Sequence, residues 1–504
     1  MMLRNTLAPS EPAAFPSAGQ TGFAHKIRNL VFPFVAAALA VVATGCVDDA
    51  DDKDGIPVAP ADDTPTSGRY GAIGNSLTAG FINGGLIEGG QLAGYPMVLA
   101  EQAGWTTPQI PRVASPGIGS TPGRSAFYVT PEGAISTVAV SQAEVPALLL
   151  NARLPRPYDN LGVPGATTKD LLDARDALSS QAQNNSYFDL ILRNGLLPMG
   201  NWTVLEATAA RNPEILTLWI GNNDILGGAL GGNPVVGSNI TPPAIWAALY
   251  AGVLSKVDAM NPSVVAVANI PNITDIPYVT TVPARVRVGD NIFPLFNTEE
   301  EDVAYVLMPF MLYLASLPPE ELPQVMASYL FPNGTNSIQS DWTLTSDEAQ
   351  TISETSAAYN QVIEAACSAR GWAYVDIATE LAALPKDLGV DQLELDVVNG
   401  YFPLIPQLQG GLTLIYNPLS AFSLDGVHPS EIGSTLIANA FARALNATYG
   451  TSIPEKDLAT VENITGFEEA PFGRPGAVAP TSLVASQDVL DAIETLPSLL
   501  GIAQ

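Results

Sequence analysis

The feature that most restricts the fold of this chain is a series of short apolar runs separated by segments with helical spacing. Each run is bounded by turn-forming residues and therefore predicts a strand. The predicted strands lie within 69–74, 157–167, 213–224, 263–271 and 372–377. Uninterrupted apolar strands that alternate with helices form a parallel sheet covered on both faces. We therefore expect an α/β fold, a three-layer α/β/α sandwich of the flavodoxin-like type with a five-stranded parallel sheet.

The segments between and after the strands complete the predicted order. Predicted helices are 93–105, 168–178, 242–260, 346–371 and 428–450. We expect insertions at about 106–155, 281–345 and 383–420, of which the last two form a lid-like region over the strand ends. The Gly-rich stretch 227–233 predicts a flexible loop. One α/β domain would span 69–454, followed by a peripheral tail, 455–504, with a short helix near 487–500.

The charge balance excludes one class of partner. The 504 residues include 21 Lys and Arg against 50 Asp and Glu, for a formal net charge of −29. A surface that binds a nucleic-acid backbone needs clusters of basic residues, and the sequence has none. We therefore expect no nucleic-acid partner. Acidity is compatible with a salty habitat or with solubility, and it indicates little about a substrate.

The N-terminal region has the pattern of an export signal. Lys26 and Arg28 precede the apolar stretch 30–46, "LVFPFVAAALAVVATGC", which is short for a retained membrane span. Its ending resembles the lipobox of bacterial lipoproteins, in which the cysteine is diacylated, and the matching residue is Cys46. An ordinary cleavage site with an incidental cysteine is the alternative. We expect 1–45 to be a signal peptide and the acidic, Pro-rich segment 46–68 to be a tether.

The lipobox resemblance implies a secreted, membrane-anchored lipoprotein on the periplasmic or cell-surface side, with an outer-membrane location expected. The other cysteine, Cys367, then has no disulfide partner, and its helical context predicts a small core residue. With Cys46 lipidated and His25 removed with the signal, one cysteine and one histidine are left, too few for a Cys₄ or Cys₂His₂ zinc site. We expect neither a metal nor a cofactor.

Two stretches carry the residue types of a nucleophile and its base. "GNSLTAGF", 74–81, places Ser76 on a turn after the first strand, although an ordinary surface turn uses the same residues. Once His25 leaves with the signal, His428 in "FSLDGVHPSEIG" is the remaining imidazole. Asp425, three residues earlier, could bond to its Nδ1–H, and such a pair activates a serine. A capped helix preceded by a solvent-exposed loop is the alternative.

The predicted topology brings these residues together. In open α/β sheets, the carboxyl ends of the strands form the ligand crevice. Ser76 follows the first strand, the turn 160–165 follows the second, and the Gly-Asn-Asn-Asp turn 221–224 follows the third. His428 precedes the last helix and enters from the same side. We therefore expect one shared edge for all four.

In the segments around these residues, the chain resembles the SGNH (GDSL-type) hydrolase family. "GNSLTAG", "NLGVPGATT", "IGNNDI" and "DGVHP" are similar to the four family blocks and occur in family order. The resemblance covers roughly 69–280 and 345–450. It implies Ser76 as nucleophile, Asp425 and His428 as its catalytic partners, and an oxyanion hole formed by the backbone N–H groups of Ser76 and Gly165 and the side chain of Asn223.

The resemblance implies two-step acyl transfer by a carboxylic ester hydrolase, through an acyl-enzyme intermediate on Ser76. The substrate would be a small-molecule, lipid or glycan ester, and the oligomeric state is left open. One position departs from the family pattern, because Asn75 stands where the family has Asp. Its local hydrogen bonds must then be made by an amide. Two alternatives remain: a carbohydrate O-deacetylase of the same fold, and a non-catalytic binding lipoprotein.

Overall fold

The computed structural model describes residues 69–130, 133–195, 200–288, 291–384, 401–407, 413–466 and 482–485. The predicted signal peptide, Cys46, the tether and the predicted helix near 487–500 lie outside the described residues, as does part of the predicted insertion 383–420.

A five-stranded parallel sheet forms the centre of the described chain. Its strands are β1 (Tyr70–Gly74), β2 (Asn160–Gly162), β3 (Ile215–Trp219), β4 (Val264–Ala268) and β5 (Ala373–Val375). They run in the order β2-β1-β3-β4-β5, and every pairing is parallel. This is the flavodoxin-like order, so the predicted fold class and all five strands are confirmed.

Helices cover both faces of this sheet. The main ones are α1 (Ser76–Ala79), α2 (Tyr95–Ala103), α3 (Thr168–Asp173), α4 (Val204–Arg211), α5 (Asn223–Leu230), α6 (Pro243–Met260), α7 (Ser346–Arg370) and α8 (Glu431–Tyr449). Shorter helices span Glu88–Ala93, Val145–Leu148, Tyr187–Leu192, Pro277–Thr280, Met308–Ser316, Leu322–Tyr329 and Ile377–Ala382.

The strands are apolar throughout because each of their faces packs against a different helical layer. On β3, Leu216 and Leu218 belong to one core and Trp219 belongs to the other. The first core lies under α6 and α7, where the rings of Trp246 and Tyr359 stack 4.0 Å apart. The second lies under α2 and α8. Burial of both faces therefore gives the three predicted layers.

Local capping sets the helix boundaries. Thr345 accepts a hydrogen bond from the Glu348 N–H, and the Glu348 carboxylate accepts one from the Thr345 N–H, so α7 begins with a capping box. Its last residue precedes Gly371, which is left-handed with φ 65°. The helix α8 begins three residues later than predicted, at Glu431, because Ser430 caps it through the Gly433 N–H.

The inserted segments build additional structure. Strands from two of them and from the C-terminal tail form a second five-stranded sheet, ordered Leu404–Gln407, Thr413–Tyr416, Ser482–Ala485, Ala134–Ser136 and Tyr128–Val129. Within 281–345 there are two antiparallel pairs, Arg285–Val288 with Asn291–Pro294 and Val303–Val306 with Thr343–Thr345. A further pair joins Gly85–Leu86 to Ile118–Gly119.

The prediction of a flexible loop at 227–233 is wrong for most of that stretch. Helix α5 continues through Gly227 and Gly228 to Leu230, and all eight of its residues are buried. A Cβ on Gly228 would lie 2.9 Å from Ile240 Cγ1, so the glycine permits close packing instead of flexibility. Cys367 is 1% exposed, as expected of a core residue. Among the described residues, no helix is both long and apolar enough to cross a membrane.

Candidate active site

The turn after β1 places Ser76 at the first position of α1. Asn75 caps this short helix, since its Oδ1 accepts a hydrogen bond from the Leu77 N–H at 3.1 Å. The helix ends at Gly80, which is left-handed with φ 74°. A Cβ on Gly74 would lie 2.5 Å from the Trp219 carbonyl oxygen. The glycine in "GNS" therefore lets β1 and β3 approach closely beneath the serine.

A buried amide from the neighbouring strand holds the other end of α1. Asn160 on β2 donates from Nδ2 to the Thr78 carbonyl at 2.7 Å, and its Oδ1 accepts from the Gly162 N–H at 2.9 Å. Asn160 is 3% exposed. Because helix carbonyls at a C-terminus lack partners within the helix, this bond fixes the short helix against the sheet.

The turn after β3 brings a second set of amides to the same edge. Asn222 precedes α5, and Asn223 is its first residue. Asn223 donates from Nδ2 to the Ala166 carbonyl at 2.8 Å, which joins it to the turn containing Gly165. Gly165 itself is left-handed, with φ 76°. One N–H of the Asn223 amide remains after this bond, because an amide NH₂ has two donors.

Asp224 supports this turn without facing the pocket. Its Oδ2 accepts from the backbone N–H and the hydroxyl of Thr168, both at 2.9 Å, and its Oδ1 accepts from the Thr241 hydroxyl at 3.1 Å. Thr168 is the first residue of α3, so Asp224 satisfies an N-terminal donor of that helix. Burial raises the pKa of Asp224 to about 6, despite these hydrogen bonds.

His428 and Asp425 form a hydrogen-bonded pair before α8. His428 Nδ1 lies 2.9 Å from Asp425 Oδ2. The other carboxylate oxygen accepts from the backbone N–H groups of Val427 and His428, at 2.9 and 2.8 Å. Gly84, from the loop after α1, donates its N–H to Asp425 Oδ2 at 2.7 Å. The carboxylate therefore has four donors although it is fully buried.

These donors decide the charge of Asp425. Burial alone would raise the pKa of the carboxyl group, but the charge and hydrogen bond of His428 and the neighbouring N–H groups outweigh burial. The net effect is a pKa below the ordinary value for Asp. Asp425 is therefore a carboxylate at neutral pH, and it favours the His428 tautomer that carries its proton on Nδ1.

The loop containing His428 is held from outside the central sheet. Tyr278 donates its N–H to the Gly426 carbonyl at 2.9 Å, and Gly426 is left-handed with φ 70°. A Cβ on Gly426 would lie 2.7 Å from the sulfur of Met308, in the predicted insertion 281–345. Asn83 accepts from the Leu424 N–H at 3.0 Å and donates to the Thr465 carbonyl at 2.8 Å. The imidazole thus depends on the insertion and on the C-terminal segment.

One pocket is lined both by the turns after β1 and β3 and by the loop that carries His428. Ser76, Asn222, Asn223 and His428 all line it, and its empty volume, counted to the open mouth, is about 560 Å³. The ring of Phe81 packs beside the imidazole, with centroids 4.6 Å apart. Asn75 also lines it, and the remaining lining residues are apolar and include Leu226, Ile273, Ile276, Phe422, Val427 and Ile437. Hydrophobic walls with a few convergent polar groups are typical of a small-molecule site.

The structure also adds residues that sequence reasoning missed. Asn83 and Gly84 support Asp425, and Asn160 supports the Ser76 helix. The Asn-Gly dipeptide at 83–84 is a turn signal, but nothing in it indicates a carboxylate partner 341 residues away. Gly165 is joined to the site through Ala166 and is not among the residues that line the pocket.

The described residues hold no group of three or more His, Cys, Asp and Glu side chains placed to bind a metal ion. The polar groups at the pocket are instead a hydroxyl, an imidazole and amides. A serine that lines the same pocket as a histidine paired with a buried carboxylate supplies the residue types of nucleophile, base and orienting acid.

A sheet of this order, with serine, histidine and amides at its carboxyl edge, defines the class of α/β hydrolases with a layered, flavodoxin-like core. The family model for GDSL-like lipase/acylhydrolase matches residues 70–441, and the chain belongs to that family. It is a carboxylic ester hydrolase.

Solved structures give only distant similarity. A mutant of an acetyl-xylooligosaccharide esterase from Geobacillus is 12% identical, with a TM-score of 0.31, over 77% of this chain and 95% of that one. An alpha/beta hydrolase from the metagenome of Lake Arreo, Spain, is 12% identical, with a TM-score of 0.30, over 75% and 95%. Phospholipase A1 from Streptomyces albidoflavus is 15% identical, with a TM-score of 0.24, over 75% and 98%. No curated protein matches the chain.

Proposed function

We propose that the chain hydrolyses carboxylic esters through an acyl-enzyme intermediate on Ser76. The observation that carries this proposal is the pairing of His428 Nδ1 with a buried, ionised Asp425 at the pocket that Ser76 also lines. With Nδ1 protonated and bonded to the carboxylate, Nε2 is the free, basic nitrogen of the ring. It is the group available to take a proton from the Ser76 hydroxyl.

The chemistry has two balanced halves. Ser76 Oγ attacks the ester carbonyl as His428 Nε2 accepts its proton, and the resulting imidazolium gives that proton to the departing alcohol. Water then attacks the acyl-enzyme, His428 again takes and returns a proton, and the carboxylic acid leaves. Asp425 stabilises the imidazolium in both halves. No redox step or external co-reactant is required.

The negative charge that develops on the carbonyl oxygen needs donors that are already in place. The backbone N–H groups of Ser76 and Gly165 and the remaining N–H of Asn223 are the proposed set. The Asn223–Ala166 bond supports this assignment because it ties Asn223 to the residue that follows Gly165. Preorganised donors of this kind contribute about 3 kcal/mol each to the transition state.

The lining of the pocket favours an apolar acyl or alcohol group beside the scissile bond. Leu226, Ile273 and Phe422 line the same pocket as Ser76 and can make hydrophobic contacts with such a group. The second candidate, removal of acetyl groups from a carbohydrate, is favoured by the amides of Asn222 and Asn223 at that pocket. Acyl length therefore separates the two candidates.

The test is a series of p-nitrophenyl esters from acetate to palmitate, together with acetylated oligosaccharides, hydrolysed by the wild type and Ser76→Ala. We expect activity on at least one substrate and its loss in the variant, with an unchanged melting temperature. Hydrolysis by Ser76→Ala at the wild-type rate would reject the nucleophile. A wild type that hydrolyses none of these substrates would support the binding-lipoprotein alternative.

We propose further that the chain is exported and anchored by a lipid on Cys46. Support comes from the sequence pattern of 26–46 and from the acidic, Pro-rich segment that follows it. In cells fed radiolabelled palmitate, label should appear on the wild type and be absent from Cys46→Ala. Cys367→Ala is the matched control and should keep the label. Equal labelling of wild type and Cys46→Ala would reject the site.

A further inference from the structure

The amide pair of Asn75 and Asn222 fixes the polarity of one wall of the pocket. Asn75 Oδ1 accepts a hydrogen bond from the Leu77 N–H, so the Nδ2 of Asn75 points away from Leu77. Nδ2 donates to Asn222 Oδ1 at 3.2 Å. Asn222 therefore presents its oxygen to Asn75, and its own NH₂ group lies on the opposite side of the amide.

That NH₂ group has no acceptor among the described residues, while Asn222 is one of the residues that line the pocket beside Ser76. Asn222 also makes no side-chain capping bond to α5. Asn222 as a whole is 4% exposed, and its Nδ2 is not one of the fully buried polar atoms that lack a partner, so the NH₂ group is reached from the pocket. Its two N–H donors therefore face a mostly apolar pocket, where an acceptor oxygen of the substrate can bind them in place of water.

We propose that Asn222 is a specificity-determining donor for esters that carry a second acceptor oxygen close to the scissile carbonyl, and that Asn75 sets this polarity. The proposal rests on ester hydrolysis at Ser76. Substrates of this class have an ether, hydroxyl or second ester oxygen near the reacting bond, as polyol and sugar esters do. A plain alkyl ester leaves the donors of Asn222 unmatched.

The reasoning gives Asn75 a specific consequence. An aspartate at 75 would accept from the Leu77 N–H with one oxygen and present its other oxygen to Asn222. Because a carboxylate only accepts, Asn222 would have to turn its NH₂ group toward residue 75. Its oxygen would then face the pocket. The amide at 75 thus makes the wall donating, and a carboxylate there would make it accepting.

The test uses pairs of substrates that differ by one oxygen in place of one methylene. One pair varies the acyl group, p-nitrophenyl methoxyacetate and p-nitrophenyl butyrate. The other varies the alcohol, 2-methoxyethyl butyrate and n-butyl butyrate. For each pair the readout is the ratio of kcat/KM values, oxygen-containing over all-carbon, and the change of that ratio between variants cancels the intrinsic reactivity of the esters.

Three variants are informative. Asn222→Asp keeps an acceptor for Asn75 Nδ2 but removes both pocket donors, Asn222→Leu removes all polarity, and Asn75→Asp reverses the Asn222 amide. Each should lower the ratio about three- to tenfold in at least one pair, the effect of one hydrogen bond. A merely structural role for Asn222 would lower both members of a pair equally.

Ratios that stay within twofold of the wild type in both pairs, for all three variants, would overturn the proposal. So would a ratio that rises in Asn222→Asp. Failure of the proposed function has a different signature, because Ser76→Ala would then hydrolyse the all-carbon esters as the wild type does.

Discussion

The Ser76 side and the His428 side of the pocket are fixed by different kinds of contact. Ser76 begins a helix whose supports are amides at the strand ends of the central sheet, Asn75 and Asn160. The loop of His428 is supported by Gly84, by Tyr278 and, through Asn83, by Thr465 of the C-terminal segment. The sheet alone can hold a nucleophile, whereas the base depends on segments that lie outside the α/β alternation.

The largest effect is expected at the centre of the His428 side. In Asp425→Asn, an NH₂ group would replace the oxygen that now accepts from Gly84 and His428. The imidazole of His428 would then favour the tautomer that carries its proton on Nε2, which leaves no basic nitrogen facing the pocket. We expect kcat to fall about 10⁴-fold with KM changed little. Steady-state kinetics on the best p-nitrophenyl ester measures this.

Asp173→Asn, which neutralises an exposed carboxylate paired with Lys169, is the control and should keep wild-type kinetics. A loss below tenfold in Asp425→Asn would show that the carboxylate is not needed to orient His428.

The Ser76 side of the pocket can be predicted from the sequence more completely than the His428 side. Ser76 and the amides at 222 and 223 follow strands with clear apolar runs, so the parallel topology predicts their shared edge. His428 and Asp425 are three residues apart, which makes their bond a local prediction. What holds their loop is not local, since Gly84 and Thr465 are brought there by tertiary packing.

The second sheet shows the same limit in the fold. Its strands have two to four residues each and come from segments far apart in the sequence, such as Tyr128–Val129, between β1 and β2, and Ser482–Ala485, after α8. Runs this short carry no period that distinguishes a strand from a turn. The reverse error occurred at Gly227–Gly228, where glycine suggested a loop but close packing against Ile240 keeps a helix.

The next largest effect is expected on the Ser76 side, at Asn223. Asn223→Asp has nearly the same shape but replaces the NH₂ donors by an acceptor, and it places negative charge near the developing oxyanion. We expect kcat to fall about 10²- to 10³-fold, consistent with the loss of one oxyanion donor. Kinetics on the same ester measures the change.

The kcat of Asn223→Ala should fall by a similar factor, because this variant removes the donor without adding charge. If either variant retained more than a third of wild-type kcat, Asn223 would have no part in binding the oxyanion.

A pair of glycines tests the long-range support of His428. Gly84 and Gly104 are both left-handed, with φ 68° and 64°. A Cβ on Gly84 would lie 2.8 Å from the Phe127 ring, whereas a Cβ on Gly104 meets nothing within 4 Å. Gly84→Ala should therefore move its N–H away from Asp425 and lower kcat about tenfold. Gly104→Ala should lose about 1 kcal/mol of stability, the cost of left-handed backbone, with no change in kcat.

Urea unfolding and kinetics on both variants provide the comparison. Equal kcat values in the two variants would mean that the Gly84 hydrogen bond does not contribute to orienting the catalytic pair.

The smallest effect on activity, and a distinct one on stability, is expected at Asp224. Its folded-state pKa of about 6 lies above the ordinary value near 3.8 in an unfolded chain. The folded protein therefore binds the Asp224 proton more tightly than the unfolded chain does, so protonation of Asp224 stabilises the folded state. This stabilisation is fully present below pH 4 and is lost as the pH rises through 6. The loss reaches up to about 3 kcal/mol at neutral pH.

Asn at 224 cannot ionise, and its oxygen can still accept from Thr168 while its NH₂ group donates to the Thr241 hydroxyl. Asp224→Asn should therefore gain stability relative to the wild type between pH 4 and 7, as measured by urea unfolding at a series of pH values, with kcat within about twofold. A stability difference that does not vary with pH would show that Asp224 is ionised in the folded protein throughout this range. The rigidity of the Ser76 side would then come from a buried charge, and the two sides of the pocket would share one means of support.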